Sequence, residues 1–264
     1  MSESKIELTI VAPAHNEEDN IDGLLDDVDQ AMDGSDIAFE MLIVDDGSVD
    51  STRDRLIEGM NKYPWLRVFF MRETPAGKGN GQSAAFHAGL RQADGELIAL
   101  MDADRQNDPG DLPNMVRMLR EQDADMVQGD RSANRRDSVV RKFSSWVGRT
   151  FRKVLLGDSI RDTGCSLRVF KREIGLRLPL QYKGLHRFIP FYTRTMGYKV
   201  IEVGVNHRPR TAGEAKYGVW NRAIPGLIDL IAVRWMRNRL RPVTCGVVEK
   251  NGQEATSQAN TSDN

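Results

Sequence analysis

Asp102 and Asp104, in the run Met101-Asp102-Ala103-Asp104-Arg105-Gln106, are the side chains of this sequence best suited to chemistry. They follow Leu97-Ile98-Ala99-Leu100, an apolar run of strand length, so both carboxylates fall where a buried strand ends. Two residues apart, they point the same way in an extended chain. Two hard oxygen ligands on one side suit a divalent cation that keeps positions open for phosphate. The pattern D-x-D is short and frequent, and an Asp-rich turn after a strand fits the same residues.

Two other polar runs also close apolar segments: Pro13-Ala14-His15-Asn16-Glu17 and Asp45-Asp46-Gly47-Ser48. Asp46 could receive a ribose or base edge, or simply open an Asp-Gly turn before a helix. Gly77-Lys78-Gly79-Asn80-Gly81 lacks the order of a nucleoside-triphosphate loop, and no dinucleotide fingerprint follows the first strand. It reads as a glycine turn with Lys78 near a phosphate, or as a plain helix-opening loop. Arg210 through Gly218 carries two cations, Arg210 and Lys216, and two glycines, and such a loop can close over phosphates or remain a solvated basic loop. His15, His87, His186 and His207 form no ligand spacing, and only His15 falls at a cleft strand end.

These residues need a frame. Strand-length runs at Ile6–Ala12, Phe39–Val44, Leu66–Met71, Glu96–Met101 and Ala124–Gln128 alternate with helical patterns at Glu17–Met32, Asp50 or Ser51 to Lys62, Gly79–Ala93 and Asp111–Glu121. Asn16 is the expected N-cap of the first helix. The alternation predicts a mostly parallel sheet with helices on both faces, and ligands of such sheets bind beyond the carboxyl ends of the strands. Three polar strand ends then meet at one cleft. Further on, Ser138–Leu156 and Arg187–Met196 read as helices, Leu167–Phe170 and Lys199–Asn206 as strands, and Asp162-Thr163-Gly164-Cys165-Ser166 as a loop. Val219–Leu240 is a last helical segment, with Trp220, Ile228, Ile231 and Trp235 among Arg222, Arg234, Arg237, Arg239 and Arg241. That mixture suits a helix lying in a membrane interface, ahead of the alternative of a helix docked on the domain with its arginines in water, because the basic excess is local and flanked by tryptophan. The polar stretch from Val243 to Asn264 reads as a disordered tail.

The totals narrow the classes. The 264 residues hold 37 basic and 38 acidic side chains, a net charge of -1, so bulk charge does not single out nucleic acid as a partner. Acids dominate from Glu17 to Asp54, whereas arginines cluster at 131–153 and 222–241. The two cysteines, Cys165 and Cys245, have no metal spacing, which points to a reducing compartment. No apolar stretch is long enough to span a membrane, and the polar first residues carry no signal-peptide core.

Taken together, Val11 through Glu18, Ile43 through Ser48, Met101 through Asp104, Gly129-Asp130-Arg131, Asp162-Thr163-Gly164 and Arg210 through Lys216 resemble family 2 glycosyltransferases of the GT-A fold, and within them the dolichyl- or polyprenyl-phosphate mannosyltransferase branch. The resemblance covers roughly residues 6–218. It implies an α/β GT-A domain over 1–218, a basic amphipathic helix over 219–242 and a tail over 243–264. It implies that Pro13, His15, Glu17, Val44 and Asp46 hold the nucleotide of a nucleotide-sugar donor. It implies that Asp102, Ala103 and Asp104 meet the diphosphate and a divalent cation, Mg2+ or Mn2+, with Gln106 as a further metal ligand. Arg131, Arg210 and Lys216 match cations near the phosphates and sugar, and with Asp104 form the expected catalytic set. His15, Arg105 and Ala215 stand where the family often has Tyr, Leu and Ser.

The implied reaction is inverting transfer of a hexose, mannose from GDP-mannose, to a polyprenyl phosphate of the dolichyl type. A peripheral enzyme at the cytoplasmic face of the membrane, reaching the surface through residues 219–241, follows. A UDP-sugar donor with a soluble sugar or glycan acceptor is the second reading; it requires a general base, for which Asp162 is available. A non-catalytic nucleotide-sugar sensor docked on the membrane is the third.

Overall fold

The computed structural model describes residues 5–75, 77–132, 150–209 and 220–241. Strands β1 (Leu8–Ala14), β2 (Phe39–Asp45), β3 (Leu66–Phe70), β4 (Leu97–Leu100), β5 (Met126–Asp130), β6 (Arg168–Lys171) and β7 (Val200–Gly204) form one sheet in the order β3-β2-β1-β4-β6-β5-β7. Pairing is parallel throughout except at β6, which runs antiparallel to both β4 and β5.

Helices cover both faces because the strands alternate. In β1, Leu8, Ile10 and Ala12 face one core with α1 (Glu18–Met32), α2 (Thr52–Lys62) and α4 (Leu112–Glu121). Val11 faces the other core, with α3 (Gln82–Leu90), α6 (Arg172–Arg177) and α7 (Ile189–Thr195). Residues 150–156 form α5 within the described chain, and α8 spans Trp220–Arg239. The expected helix over Ser138–Leu156 lies outside the described residues before position 150.

Local details depart from the sequence reading. Asn16 does not cap α1; it sits at a left-handed φ of 54° and its Oδ1 accepts from Val49 N at 2.9 Å. The cap position is Glu17, without a side-chain cap bond. Asp50 rather than Ser51 supports the start of α2, accepting from Thr52 N at 3.0 Å. The glycine run stays irregular until Gln82, and α3 buries Ser83, Ala85, Phe86, Gly89 and Leu90.

α8 is docked. Leu230 and Val233 join the α3-side core, and Arg237 donates to the Leu156 carbonyl of α5 at 2.6 Å. Leu227, Ile228, Ile231 and Trp235 remain exposed on its other side.

Candidate active site

The three polar strand ends converge as expected, since β2, β1 and β4 are parallel neighbours. Their loops are stitched to one another. Asn16 N donates to Ser48 Oγ at 3.0 Å and Glu17 N to Thr52 Oγ1 at 2.8 Å. Asp46 N donates to the Ala14 carbonyl at 2.8 Å. His15 Nδ1 lies 2.8 Å from the Asp46 carbonyl oxygen, so Nδ1 carries the proton and Nε2 is left as acceptor. Asn16 Nδ2, 3.4 Å from that Nε2, agrees with this tautomer.

Asp46 is 3 % exposed. Its Oδ1 accepts from Asn80 N at 2.8 Å and its Oδ2 from Gly81 N at 2.7 Å, so the carboxylate holds the glycine loop by two backbone amides. A Cβ at Gly79 would come within 2.7 Å of the Asp46 backbone oxygen, which is why glycine stands there. The next residue after this loop, Gln82, donates through Nε2 to Asp102 Oδ1. The glycine loop and the first residue of α3 therefore bridge the ends of β2 and β4. Lys78 is exposed.

Asp102 is half-buried, and each of its carboxylate oxygens accepts a side-chain hydrogen bond. Its Oδ2 accepts from Ser166 Oγ at 2.6 Å, and its backbone N donates to Asn107 Oδ1 at 2.9 Å. Burial, with the charge of Asp104 second, pushes the Asp102 carboxyl up to about 6. The two acids thus act on one another, although not as an extended pair. Residues 103–104 form a turn and Arg105 has a φ of 60°. Asp104 Oδ1 accepts from Gln106 N at 3.1 Å. Among the described residues no three His, Cys, Asp or Glu side chains gather into a metal site. Two carboxylates that repel each other, with a neighbouring amide, still fit a hard divalent cation that takes its remaining oxygens from a diphosphate.

The other expected residues are placed unevenly. Pro13 near the end of β1, and Glu17 and Gln106 on the convergent loops, are half-exposed. Ala103 is 3 % exposed and belongs to the core on the α1 side. Val44 is buried facing Gly89 of α3, where it lines a cavity of about 470 Å³ with Phe69, Met71 and Arg91. That cavity opens beside the β3 edge rather than at Asp102. Arg131 is paired with Asp162 through Nε at 2.8 Å and Nη2 at 3.2 Å. Arg210 and Lys216 lie outside the described residues. The chain leading to them is fixed, however: Arg208 N donates to the Gln106 carbonyl at 3.0 Å, and Asn107 and His207 form an antiparallel bridge.

Sequence reasoning missed a buried polar group behind Asp102. Arg168, 3 % exposed on β6, donates to the carbonyls of Ser166 and His186, each at 3.0 Å, and to that of Cys165. Desolvation lowers its pKa to about 10. Ser83 Oγ accepts from His186 N at 3.1 Å and lies 2.8 Å from His186 Nδ1. The signal was present: an arginine inside Leu167-Arg168-Val169-Phe170 must be satisfied internally.

A mixed seven-stranded sheet with one reversed strand, carrying an acidic pair beyond β4, defines a GT-A glycosyltransferase fold. Residues 9–175 match the family model described as Glycosyl transferase family 2, more than half of the chain, and the protein belongs to that family. Among its relatives is the dodecaprenyl-phosphate galacturonate synthase of Rhizobium johnstonii, 35% identical over 241 residues, covering 90% of this chain and 69% of that protein. The undecaprenyl-phosphate 4-deoxy-4-formamido-L-arabinose transferase of Photorhabdus laumondii is 35% identical over 210 residues, covering 80% of this chain. The chain spans 62% of the length of that second relative. The structure is similar to mannosyltransferase PcManGT from Pyrobaculum calidifontis in complex with GDP-Man and Mn2+, with a TM-score of 0.64 at 22% identity, over 89% of this chain and 66% of that one. It is similar also to Mycobacterium tuberculosis glucosyl-3-phosphoglycerate synthase with Mn2+ and UDP, with a TM-score of 0.62 at 20% identity, over 92% and 84% of the two chains.

Proposed function

We propose that this protein transfers a sugar from a nucleoside-diphosphate donor to a polyprenyl phosphate at a membrane surface, with inversion at the sugar carbon. The observation that carries the reading is the meeting of Asp102, Asp104 and Gln106 with the stem of the basic loop, through the Arg208 N to Gln106 O bond of 3.0 Å. Asp102 and Asp104, with Gln106, would hold Mg2+ or Mn2+. The cation would neutralise charge on the departing diphosphate. Pro13, His15, Glu17 and Asp46 border the nucleoside end of the cleft, with the peptide bonds of Val44 and Ala103 as further contacts. Arg131, Arg210 and Lys216 orient the two phosphates for in-line attack.

The acceptor chemistry agrees with this arrangement. A phosphate monoester has a second pKa of about 6 and is largely ionised near neutrality, so no side chain has to remove a proton from it. A sugar hydroxyl needs a base. Asp162 suits that role poorly, because Oδ2 accepts from Arg131 and Oδ1 from Gly164 N at 3.1 Å. The names of the relatives, which speak of dodecaprenyl and undecaprenyl phosphate, support a lipid acceptor. They speak of galacturonate and formamido-arabinose rather than mannose, so the donor sugar is the open variable, and GDP-mannose stands as one candidate beside UDP-linked sugars.

The test uses the full chain with Mn2+, polyprenyl phosphate in detergent, and labelled GDP-mannose, UDP-glucose, UDP-N-acetylglucosamine and nucleotide-linked galacturonate in turn. Label from one donor should pass into the organic phase. Asp104→Ala should lower that rate by about a thousandfold or more while the circular dichroism spectrum is unchanged. Transfer to soluble sugars alone, or full activity in Asp104→Ala, would overturn the reading.

A further inference from the structure

We propose that Asp27 of α1 is a positioning residue that sets the cation-binding turn, by gripping Arg105 from one side and Arg208 from the other. The inference rests on the reading of Asp102, Asp104 and Gln106 as the cation site.

Arg105 lies between two of those residues and has a φ of 60°, a conformation that L side chains rarely adopt. Something must hold it there. Arg105 Nε lies 3.0 Å from Asp27 Oδ2, and Arg208 Nη1 lies 2.9 Å from that same oxygen. The second arm of Arg208 reaches Asp108 Oδ1 at 2.8 Å, while its backbone N holds the Gln106 carbonyl. One oxygen of α1 thus ties the turn after β4 to the stem of the basic loop. The Asp27 side chain is 17 % exposed, so water screens the cluster only in part.

The helix is shaped for this task. Gly23 and Asp27 are four residues apart and lie on one face of α1. A Cβ at Gly23 would stand 2.2 Å from the Arg105 guanidinium, so the glycine opens the channel in which that side chain lies and the aspartate supplies the charge at its end. Two consequences follow. The Arg105 cation is aimed away from Asp104 and Gln106, where it would compete with a divalent ion. The peptide of Gln106 is fixed at both ends, its N on Asp104 Oδ1 and its carbonyl on Arg208 N. Without the charge on Asp27, two guanidiniums face one another across an uncharged group, and turn and stem separate.

Mn2+ binding to the full chain, followed by the electron paramagnetic resonance of free Mn2+ with and without UDP or GDP, tests the idea without turnover. Asp27→Asn keeps the shape and an acceptor oxygen but removes the charge. It should weaken Mn2+ binding by about tenfold, the usual scale for groups that orient metal ligands. Asp27→Glu should recover part of the loss. Gly23→Ala, which leaves the carboxylate in place and displaces Arg105, should weaken Mn2+ as well. Asp22→Asn removes an exposed α1 acid that pairs with Arg55 and should leave binding unchanged. In parallel, amide exchange at residues 104–108 and 206–209 should quicken in Asp27→Asn with no metal present. Wild-type Mn2+ affinity and wild-type exchange in both Asp27→Asn and Gly23→Ala would overturn the clamp, as would an equal effect of Asp22→Asn. Absence of Mn2+ binding to the wild-type chain would instead strike the cation site itself, and with it this role for Asp27.

Discussion

Asp46 illustrates how little of a side chain's role its residue type conveys. An aspartate after a buried strand reads as a ligand for ribose or base, or as the opening of a turn. In the folded chain both carboxylate oxygens are occupied by amides of the glycine loop, at 2.8 and 2.7 Å. Its first duty is to hold residues 79–81 against the end of β2, and through Gln82 to reach Asp102. Any contact with a nucleotide is made from within that arrangement. Asp46→Asn keeps the volume but can accept through only one oxygen, leaving a buried amide facing an NH2 group. The loss is about 1–3 kcal/mol. We expect nucleoside-diphosphate affinity, measured by titration calorimetry, to fall by roughly tenfold or more. Gly79→Ala should act in the same direction, because its Cβ would meet the Asp46 carboxylate at 2.2 Å and the Asp46 backbone oxygen at 2.7 Å. Unchanged affinity in both variants would remove Asp46 and its loop from the donor site. The place of Asp102 and Asp104 just beyond β4, by contrast, was legible from the apolar run before them, while cation site and plain turn both remained open on residue type alone. The geometry of the pair was not legible: the extended-chain argument fails at the turn over residues 103–104, and the clamp on Arg105 comes from a helix far away in sequence.

Among the elements, the strands and long helices follow from periodicity, with ends shifted by one to three residues. The apolar runs of β1, β2 and β4 are buried on both faces, and such runs announce themselves. The reversal of β6 does not, because direction is set by the path between strands rather than by the composition of either one. The short α6 and the turn of 3-10 helix at Leu185–Phe188 are equally silent in sequence. Yet the latter carries a group with measurable consequences. His186 is desolvated, with the charges of Arg187 and Arg168 adding to the effect, and its pKa is lowered to about 3. Geometry agrees: Ser83 Oγ accepts from His186 N, so its proton is free to point at Nδ1, which must be the unprotonated nitrogen. A histidine held neutral in the fold but free to charge when unfolded binds fewer protons in the native state between pH 3 and 6.5. Its contribution to stability is therefore complete above pH 6.5 and is lost as pH falls towards 3. The loss deepens with each pH unit below 6.5. The melting temperature of the wild type should drop across this range, and His186→Asn should flatten the drop relative to its own value at pH 7.5. Parallel curves for the two proteins would refute a neutral, bonded His186.

On the scale of the whole molecule, the question is how a protein without a spanning helix among its described residues would meet the lipid-borne acceptor proposed for it. α8 supplies two unlike faces. At about 100° per residue, Leu230, Val233 and Arg237 lie together against the domain, whereas Leu227, Ile228, Ile231 and Trp235 lie together on a side away from it. Arg234 and Arg239 border this outer stripe, and the Arg239 guanidinium lies 4.4 Å over the Trp235 ring. Phe151 and Val154 of α5, also exposed, come from the helix whose end Arg234 and Arg237 grip. The sequence left membrane interface and domain docking as rivals for this segment; the helix has one face for docking and a second still open. An apolar stripe framed by arginines matches an anionic lipid surface, with each burial of a large side chain worth about 2 kcal/mol and each arginine about 1 kcal/mol. Flotation with vesicles of phosphatidylethanolamine and phosphatidylglycerol should carry the wild-type chain upward. Trp235→Glu should lower partitioning by roughly 30-fold, and Ile231→Glu by a similar factor. Arg239→Gln should cost less and do so only at low salt, because its share is screened. Affinity for nucleoside diphosphate should be the same in all of these variants, as none touches the cleft. Flotation of Trp235→Glu equal to that of the wild type, or exchange of the face for a salt-independent dimer in sedimentation, would assign the stripe to another copy of the chain and leave the acceptor to be reached some other way.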